Sequence, residues 1–389
     1  MKVIKVSEIK PGQFFTKPVY LDKDIVFVNA NVPISENDLE RLKKFGITEV
    51  STAGEVGESK APIVSSPELA ILNKGTEKTE EINTLKILYE QIVKSKTHFH
   101  TLYRESFETI QYIYRQIAED KIIEINSIRE VSEKLVDYIR ANPHVAFNIL
   151  TVSTSGYFLY NQVLQSSLFS ILIGTYLEYS KPKLVELGIS SLFADIGMAK
   201  IPSYISEKNS SLSEDEVKTV RKHTVLGYQI LTQQVKIKNN LALTALQHHE
   251  NFDGSGYPQK LSGTNIEEFA RIHTIADNFA ARIHPRPYRG RILPYEAIKS
   301  MISIDMNKFD LKIVRIFLNK ISMYPIGSSV ELSDGRTAMV IDSNTAKPLR
   351  PSLKLMQDAS GAFLKDMQFL NLLNDTNIYI TKAIETPNL

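Results

Sequence analysis

Cysteine is missing from the sequence, and this absence limits the kinds of site that the chain can build. Without thiols there are no disulfides and no thiolate metal sites, so any metal ion must be held by His, Asp or Glu. The absence of cysteine also fits a reducing cytosol, and we expect a cytoplasmic protein. With 389 residues, the chain is long enough for two or three domains.

A strong charge of either sign is also missing. The formal net charge of +2 is too small to indicate a nucleic-acid or membrane partner by itself, and we predict no DNA or RNA partner. The first five residues, MKVIK, lack the apolar segment of a secretory signal. Residues 144–177 carry no charge and are long enough on paper to cross a bilayer, but asparagine, glutamine and serine interrupt them. We therefore predict a buried helix there and no membrane span.

Changes in composition and periodicity divide the chain into five parts. Helical periodicity dominates from residue 81 to about 320, so the predicted fold is mainly α. The connector in this region could bury its apolar stripes on the next domain or form a homodimer contact, and both readings stay open. The predicted parts are an N-terminal α+β module (1–54), a linker (55–80), a helical connector (81–142), a helical domain (143–323) and a C-terminal β appendage (324–389).

Both ends of the chain contain short apolar runs bounded by turn residues, which is typical of strands. An Asp334-Gly335 pair predicts a hairpin in the C-terminal part. A helix is predicted to begin at Ser35. The predicted strands are Val3–Val6, Phe14–Tyr20, Ile25–Val28, Ile47–Val50, Ser328–Leu332, Thr337–Ile341, Leu353–Met356 and Ile378–Ala383.

The sequence His248-His249 closes an apolar helical segment and is followed at once by a glycine-rich turn. Gly254 and Gly256 tolerate the backbone angles of a tight loop, and Pro258 fixes its exit. Neutral imidazole is a common ligand of transition metals, so the pair indicates a metal site. A polar surface turn that contains two histidines is the alternative, and the pair alone does not separate the two.

The order His248-His249-Glu250 and then Asp253-Gly254-x-Gly256-Tyr257-Pro258 resembles the signature of the HD-GYP family. Members of that family are bacterial cyclic di-GMP phosphodiesterases of the HD metal-hydrolase superfamily. The resemblance covers about residues 157–317 and includes further motifs in the family's order. It implies an all-helical HD-GYP bundle, with a small N-terminal module and a small β appendage of the kind that often flank it.

The resemblance also implies a ligand set. The family holds two metal ions with histidines and aspartates, and one aspartate bridges them, a position that falls on Asp195. A histidine at position 273 is expected to pack or to face solvent rather than to bind metal. The matching residues that we predict as metal ligands are Asp195, His223, His248, His249 and Asp277.

Several positions of the family pattern have changed in this chain. The histidine of the early helix is replaced by Gln162, and the histidine of the His-Asp doublet by Ala194. The lysine that follows the doublet is replaced by Met198, and Phe158 stands where a three-metal variant has glutamate. One ion keeps three histidines and a carboxylate, a set that suits Fe, Mn or Zn. The other keeps two aspartates, which leaves the second ion in doubt.

Two functions follow from this pattern. The first hypothesis is a degenerate HD-GYP protein that binds cyclic di-GMP as a receptor or acts as a signalling scaffold with a protein partner, with weak or no hydrolysis. The second is an active metal-dependent phosphodiesterase that yields pGpG or GMP, with Asp195 in the catalytic centre. The resemblance assigns substrate binding to Tyr257, Arg286 and Arg289, since arginine suits phosphate oxygens.

Overall fold

The structure is a computed structural model that falls into two compact units. The first unit comprises Met1–Ser95 and Ile321–Leu389, and the second comprises Lys96–Lys320. The residues that the structure describes are 1–22, 25–28, 30–31, 33–34, 36, 38–39, 42, 47–58, 70–143, 158–208, 210–283, 297, 300–301, 305–320, 324, 326–343, 349–375 and 377–384.

Over its described residues, the first unit contains three antiparallel sheets. A four-stranded sheet has the order β1-β5-β3-β4, a two-stranded sheet pairs β2 with β6, and a five-stranded sheet has the order β10-β9-β8-β7-β11. Gly335 adopts a φ of 85° between β7 and β8, which is the tight turn that the Asp-Gly pair predicts. The strands are β1 (Lys2–Lys5), β2 (Gln13–Phe15), β3 (Val19–Asp22), β4 (Ile25–Val28), β5 (Glu49–Thr52), β6 (Val56–Glu58), β7 (Ser329–Leu332), β8 (Thr337–Asp342), β9 (Ser352–Gln357), β10 (Phe369–Asn371) and β11 (Ile380–Ile384).

One hydrophobic core serves both ends of the chain. Val19 and Val50, on N-terminal strands, belong to the same buried cluster as Val330 and Leu353, on C-terminal strands. In the sequence these two ends look like separate modules, because periodicity reports which face of a strand is buried but not what covers it. In the structure they form a single folded unit.

A buried ion pair joins the two ends within this unit. Arg350 is 1 % exposed, and its Nε donates to Oδ1 of Asp38 at 3.2 Å. Its Nη1 also donates to the carbonyl oxygen of Leu372 at 2.9 Å. Because a buried guanidinium without partners is costly, these bonds constrain how the N-terminal and C-terminal segments pack.

Several predictions for the first unit differ from the structure. The predicted strand Phe14–Tyr20 is two strands, β2 and β3, because Pro18 between them has no N–H for a sheet. The predicted linker, 55–80, contains β6 and the start of a helix at Ala70, since its second half is rich in the helix formers Ala, Leu, Glu and Lys. The strand β10 was not predicted. The helix predicted from Ser35 lies largely outside the described residues.

The second unit is a helical bundle, which confirms the mainly α fold class. The helix α3 lies at its centre and packs against α2, α4, α9 and α10. Helix α1 begins in the first unit and ends in the second. The helices are α1 (Ala70–Ala118), α2 (Ile125–Ala141), α3 (Phe158–Tyr176), α4 (Lys181–Leu192), α5 (Ser203–Ser206), α6 (Glu214–Arg221), α7 (His223–Gln229), α8 (Asn239–Gln247), α9 (Glu268–Ile283) and α10 (Leu311–Lys320).

Helix α3 buries an unusual number of polar side chains. Ser167 and Ser170 donate to carbonyl oxygens one turn earlier, at 2.7 and 2.8 Å, which satisfies their hydroxyls inside the bundle. Over the residues that can be described, the chain has no helix that is both long and apolar enough to cross a bilayer. The described part of the charge-free run forms α3, whose residues 161–174 are buried in the bundle.

Candidate functional site

Four candidate ligands converge where helices begin and end. Asp195 follows the end of α4, His223 is the first residue of α7, and His248 and His249 directly follow α8. One ligand atom from each of these residues lies within 4.8 Å of the others. The predicted ligands Asp195, His223, His248 and His249 are thus brought together as one cluster.

Two of the imidazoles are oriented by backbone carbonyls. Nδ1 of His223 lies 2.7 Å from the carbonyl oxygen of Val220, and Nδ1 of His248 lies 3.1 Å from that of Thr244. A carbonyl oxygen only accepts, so each Nδ1 carries the proton and a neutral ring turns its Nε2 lone pair to the cluster. The two Nε2 atoms are 3.3 Å apart, and they lie 3.4 and 3.6 Å from Oδ1 of Asp195. Lone pairs at this spacing repel unless a proton or a metal ion lies between them.

The electrostatics of the cluster favour a cation. Burial would raise the pKa of Asp195, but its hydrogen bond with His248 and the charges of the histidines hold that pKa well below its usual range. Burial would lower the pKa of His248, yet Asp195 raises it. For His223 and His249 burial dominates and lowers the pKa. The cluster therefore presents an ionised carboxylate and two imidazoles, His223 and His249, that favour the neutral form that binds metal, whereas His248 favours a proton that a metal ion would displace.

A close backbone contact fixes the distance between Asp195 and His223. Gly197 lies on the 3₁₀ turn Ile196–Lys200, directly after Asp195. A Cβ atom at Gly197 would overlap the carbonyl oxygen of His223 and the backbone nitrogen of Gly227. Glycine at this position therefore lets the turn touch the start of α7 and holds the two ligands together.

The loop after His249 is held by a buried carboxylate. Glu250 is 1 % exposed, and its two oxygens accept the backbone N–H groups of Gln259 at 2.6 Å and Leu261 at 3.1 Å. A Cβ atom at Gly256 would overlap backbone atoms of His249 and Glu250. The glycine-rich signature thus folds the loop tightly back onto the histidine pair.

Tyr257 forms one wall of the cluster. Its ring stacks on His249, with centroids 4.8 Å apart and planes 21° apart. The guanidinium carbon of Arg221 lies 4.9 Å from the centroid of the same ring. Burial is the main cause that raises the pKa of Tyr257, so its phenol stays protonated at neutral pH. The structure places this predicted substrate-binding residue beside the cluster, and it adds Arg221, which the sequence analysis did not single out.

Asp277 is not one of the four clustered residues, and its carboxylate is hydrogen-bonded to Gln162. Its Oδ1 accepts from Nε2 of Gln162 at 2.7 Å, and the same nitrogen lies 3.1 Å from its carbonyl oxygen. The negative charge of Asp277 nevertheless contributes to the raised pKa of His248. Gln162, predicted as a lost ligand, therefore fills the space beside Asp277 with an amide donor.

The remaining predicted positions have different surroundings. Ala194 is buried, and Met198 is half-buried. Lys200 pairs with Asp120 at 2.6 Å. Arg286 and Arg289 lie outside the described residues.

His273 is fully buried in the core of the second unit. Its Nδ1 lies 3.1 Å from Oγ of Ser170, and its ring makes an edge contact with that of His248. Burial lowers its pKa to about 3, so the ring is neutral at physiological pH. His273 is packed against the site and is not one of the four clustered ligands, in line with the reading of its position in the sequence.

Comparison with known proteins gives a family for the central part of the chain. Residues 154–313 match the model of the HD domain, and residues 329–389 match a KOW domain associated with the HD domain. The structure of Bd1817, an HD-GYP-type protein from Bdellovibrio bacteriovorus, aligns with a TM-score of 0.49 and 15% identity over 82% of this chain and 98% of its own.

Two relatives carry names that describe an activity. The cyclic di-GMP phosphodiesterase PA4108 of Pseudomonas aeruginosa is 23% identical over 92% of this chain and 86% of its own length. The cyclic di-GMP phosphodiesterase PdeB of Borreliella burgdorferi is 28% identical over 56% of this chain and 58% of its own length. The resemblance predicted from the sequence is thus confirmed: residues 154–313 of this chain match the HD domain, and similar proteins are named cyclic di-GMP phosphodiesterases.

Proposed function

We propose that this chain is a degenerate HD-GYP protein that binds cyclic di-GMP and acts as a receptor or signalling scaffold, with weak or no hydrolysis. The observation that carries the proposal is the contrast between two halves of the pocket. Asp195, His223, His248 and His249 form a compact donor cluster, whereas the Gln162 amide donates to Asp277 in the other half.

The four-residue cluster fits one transition-metal ion. Three imidazoles and one carboxylate suit Zn, Fe or Mn, and the Nδ1 bonds of His223 and His248 already direct both Nε2 atoms inward. An ion held there would supply positive charge to polarise a phosphate oxygen. The residues themselves orient the ligand and, through Tyr257, cover one side of the cluster.

The residues of the other half fit a second transition-metal ion poorly. Nε2 of Gln162 donates to Asp277, and the atom left to bind an ion is the neutral amide oxygen Oε1, a weaker transition-metal ligand than the imidazole that it replaces. Ala194 supplies no donor atom at all. Two-metal hydrolysis depends on ions on both sides of the phosphate, so the loss of one side should weaken catalysis far more than binding.

Metal content, ligand affinity and turnover in one preparation test this proposal. We expect purified protein to hold about one ion per chain, to bind cyclic di-GMP in calorimetry and to produce little or no pGpG. His248→Ala should lose the ion, whereas His100→Ala, on the exposed face of α1, should keep it. If neither cyclic di-GMP nor a protein partner from the native host binds, the receptor and scaffold assignment fails.

The alternative is an active cyclic di-GMP phosphodiesterase, and the names of the relatives favour it. Asp195, the residue that would bridge two ions, is present and its pKa is lowered as an ionised ligand requires. Turnover to pGpG or GMP that disappears in Asp195→Ala, together with two ions per chain, would replace the receptor assignment with this one.

The proposal also covers where the protein is located in the cell and whether it forms a homodimer. We expect the protein in the cytoplasm and in contact with a protein partner, while a homodimer remains a prediction from the apolar stripes of the connector. Cell fractionation and light scattering of the purified chain measure the two properties directly.

A further inference from the structure

Arg221 is an exposed arginine beside the cluster, and no carboxylate partner is found for it among the described residues. It ends α6, two positions before the ligand His223. Neighbouring cations are engaged elsewhere, since Lys200 pairs with Asp120 and Lys208 pairs with Glu216. An arginine that is held in place but has no anion available is prepared to bind one from solution.

The contact with Tyr257 connects this charge to the cluster. The guanidinium carbon of Arg221 lies 4.9 Å from the centroid of the Tyr257 ring, and the same ring stacks on His249, with centroids 4.8 Å apart. A guanidinium that lies over an aromatic ring keeps its N–H groups free at its edges. Tyr257 thus contacts both the Arg221 charge and one of the candidate metal ligands.

The charges around the cluster indicate that Arg221 could contact a bound phosphate. Met198 is uncharged, and the Lys200 ammonium is bound to Asp120, so neither supplies a phosphate contact there. A phosphate diester at the cluster would be attracted by an ion on one side and would need a second positive group for its remaining oxygen. Arginine is always charged and offers several N–H donors to such an oxygen.

We infer that Arg221 is a phosphate-binding residue of this site, held over the Tyr257 ring and directed at the phosphate of a cyclic dinucleotide. The inference rests on the proposed function for the identity of the nucleotide, but the anion contact itself requires only a phosphate. Arg221 binds the ligand in this account and takes no part in holding the metal ion.

Calorimetry on the metal-loaded full chain tests the inference with two probes, cyclic di-GMP and inorganic phosphate. Arg221→Ala should raise the Kd for cyclic di-GMP by about 10-fold or more, as for loss of a charge-assisted hydrogen bond to phosphate. Arg221→Lys keeps the charge but not the planar fork, so its Kd should lie between the two. Lys222→Ala is the matched control, because Lys222 is the exposed next residue and has the same charge. Its Kd should stay within about two-fold of the wild-type value.

Metal content by elemental analysis separates ligand binding from a structural role. We expect the same metal content in the wild type, Arg221→Ala and Lys222→Ala, and a weaker salt dependence of binding in Arg221→Ala alone. Unchanged affinity of Arg221→Ala for both probes, or loss of the ion in this variant, overturns the inference. Equal losses in Arg221→Ala and Lys222→Ala also overturn it, because they indicate general attraction only.

The two probes distinguish this inference from the proposed function. If wild-type protein binds phosphate through Arg221 but does not bind cyclic di-GMP, the anion site stands and the receptor assignment fails. If it binds cyclic di-GMP with no contribution from Arg221, the receptor assignment stands and the inference fails. Wild-type protein that binds neither probe overturns both.

Discussion

At the scale of single residues, Gly197 determines how closely Asp195 approaches His223. Gly197→Ala should lower the free energy of unfolding by about 3 kcal/mol and reduce metal content, because the new Cβ overlaps backbone atoms that cannot move aside alone. Denaturant unfolding and elemental analysis measure both effects.

The matched control is Gly227→Ala on the facing helix. A Cβ there would lie 3.3 to 3.5 Å from its nearest neighbours, so small shifts accommodate it. We expect a change within about 1 kcal/mol and unchanged metal content, since alanine also favours the helix. Equal behaviour of the two variants would show that the contact at Gly197 does not position the ligands.

A second prediction at the scale of single residues concerns Gln162 and Ala194, which stand where the family has two histidines. The double variant Gln162→His/Ala194→His restores two imidazoles in the half of the pocket that has lost them, so metal content should rise from one ion to two and hydrolysis of cyclic di-GMP should increase. Elemental analysis and a turnover assay measure the two quantities, with the Tm as a check on folding because Ala194 is buried.

The single variant Ala194→His is the control for this prediction. It leaves the amide of Gln162 bonded to Asp277, so its metal content should remain near that of the wild type. A wild-type protein that already holds two ions would contradict the account of an impaired second site.

At the scale of elements, the loop after α8 depends on one buried carboxylate. Glu250→Gln replaces an acceptor with an N–H₂ group, so the N–H of either Gln259 or Leu261 loses its partner. We expect a loss of about 1–3 kcal/mol in the free energy of unfolding and faster hydrogen exchange at these two amides. Mass-spectrometric exchange over the loop peptide measures it.

Asp253→Asn provides the comparison within the same loop. Asp253 also accepts a backbone N–H, that of Ser255 at 2.9 Å, but its side chain is exposed. Asparagine keeps an oxygen that can accept this N–H, and water reaches the site, so the effect should be below about 0.5 kcal/mol. If both variants exchange equally fast, the buried carboxylate is not what holds the loop.

Helices, strands and tight loops are the features that the sequence predicts best, and the reason is physical. Period-two and period-3.6 patterns depend on local burial, so β4, β8 and the central helices could be predicted from neighbouring residues alone. The loop glycines were also legible, because few other residues tolerate such turns. The bond between Gln162 and Asp277 could not be predicted, since its partners are 115 residues apart and amides form many kinds of bond.

At the scale of the whole molecule, both ends of the chain contribute to one core, and Arg350 joins them. Arg350→Met leaves Asp38 buried without its guanidinium, so the free energy of unfolding should fall by about 3–5 kcal/mol. Arg336→Met, which breaks an exposed pair with Asp334, should cost at most about 1 kcal/mol. Thermal and denaturant unfolding compare the two; similar small losses would show that the buried pair does not constrain this unit.

This shared core also marks the limit of reading domains from composition. The N-terminal and C-terminal strands look like independent modules in the sequence, yet Val19 and Val330 lie in one buried cluster. Contacts between segments far apart in the chain leave no periodic signal in either segment. The association of the two ends could therefore be recognised only in three dimensions.

The carbonyls that hold Nδ1 of His223 and His248 have a consequence for kinetics. Both rings already present the nitrogen that a cation requires, so loading needs neither a ring flip nor a change of tautomer. The rate of uptake should then follow how quickly each aqueous ion sheds its water. Manganese and zinc, whose hydration shells exchange rapidly, should enter much faster than nickel, and stopped-flow mixing of the apoprotein with each salt would reveal that order.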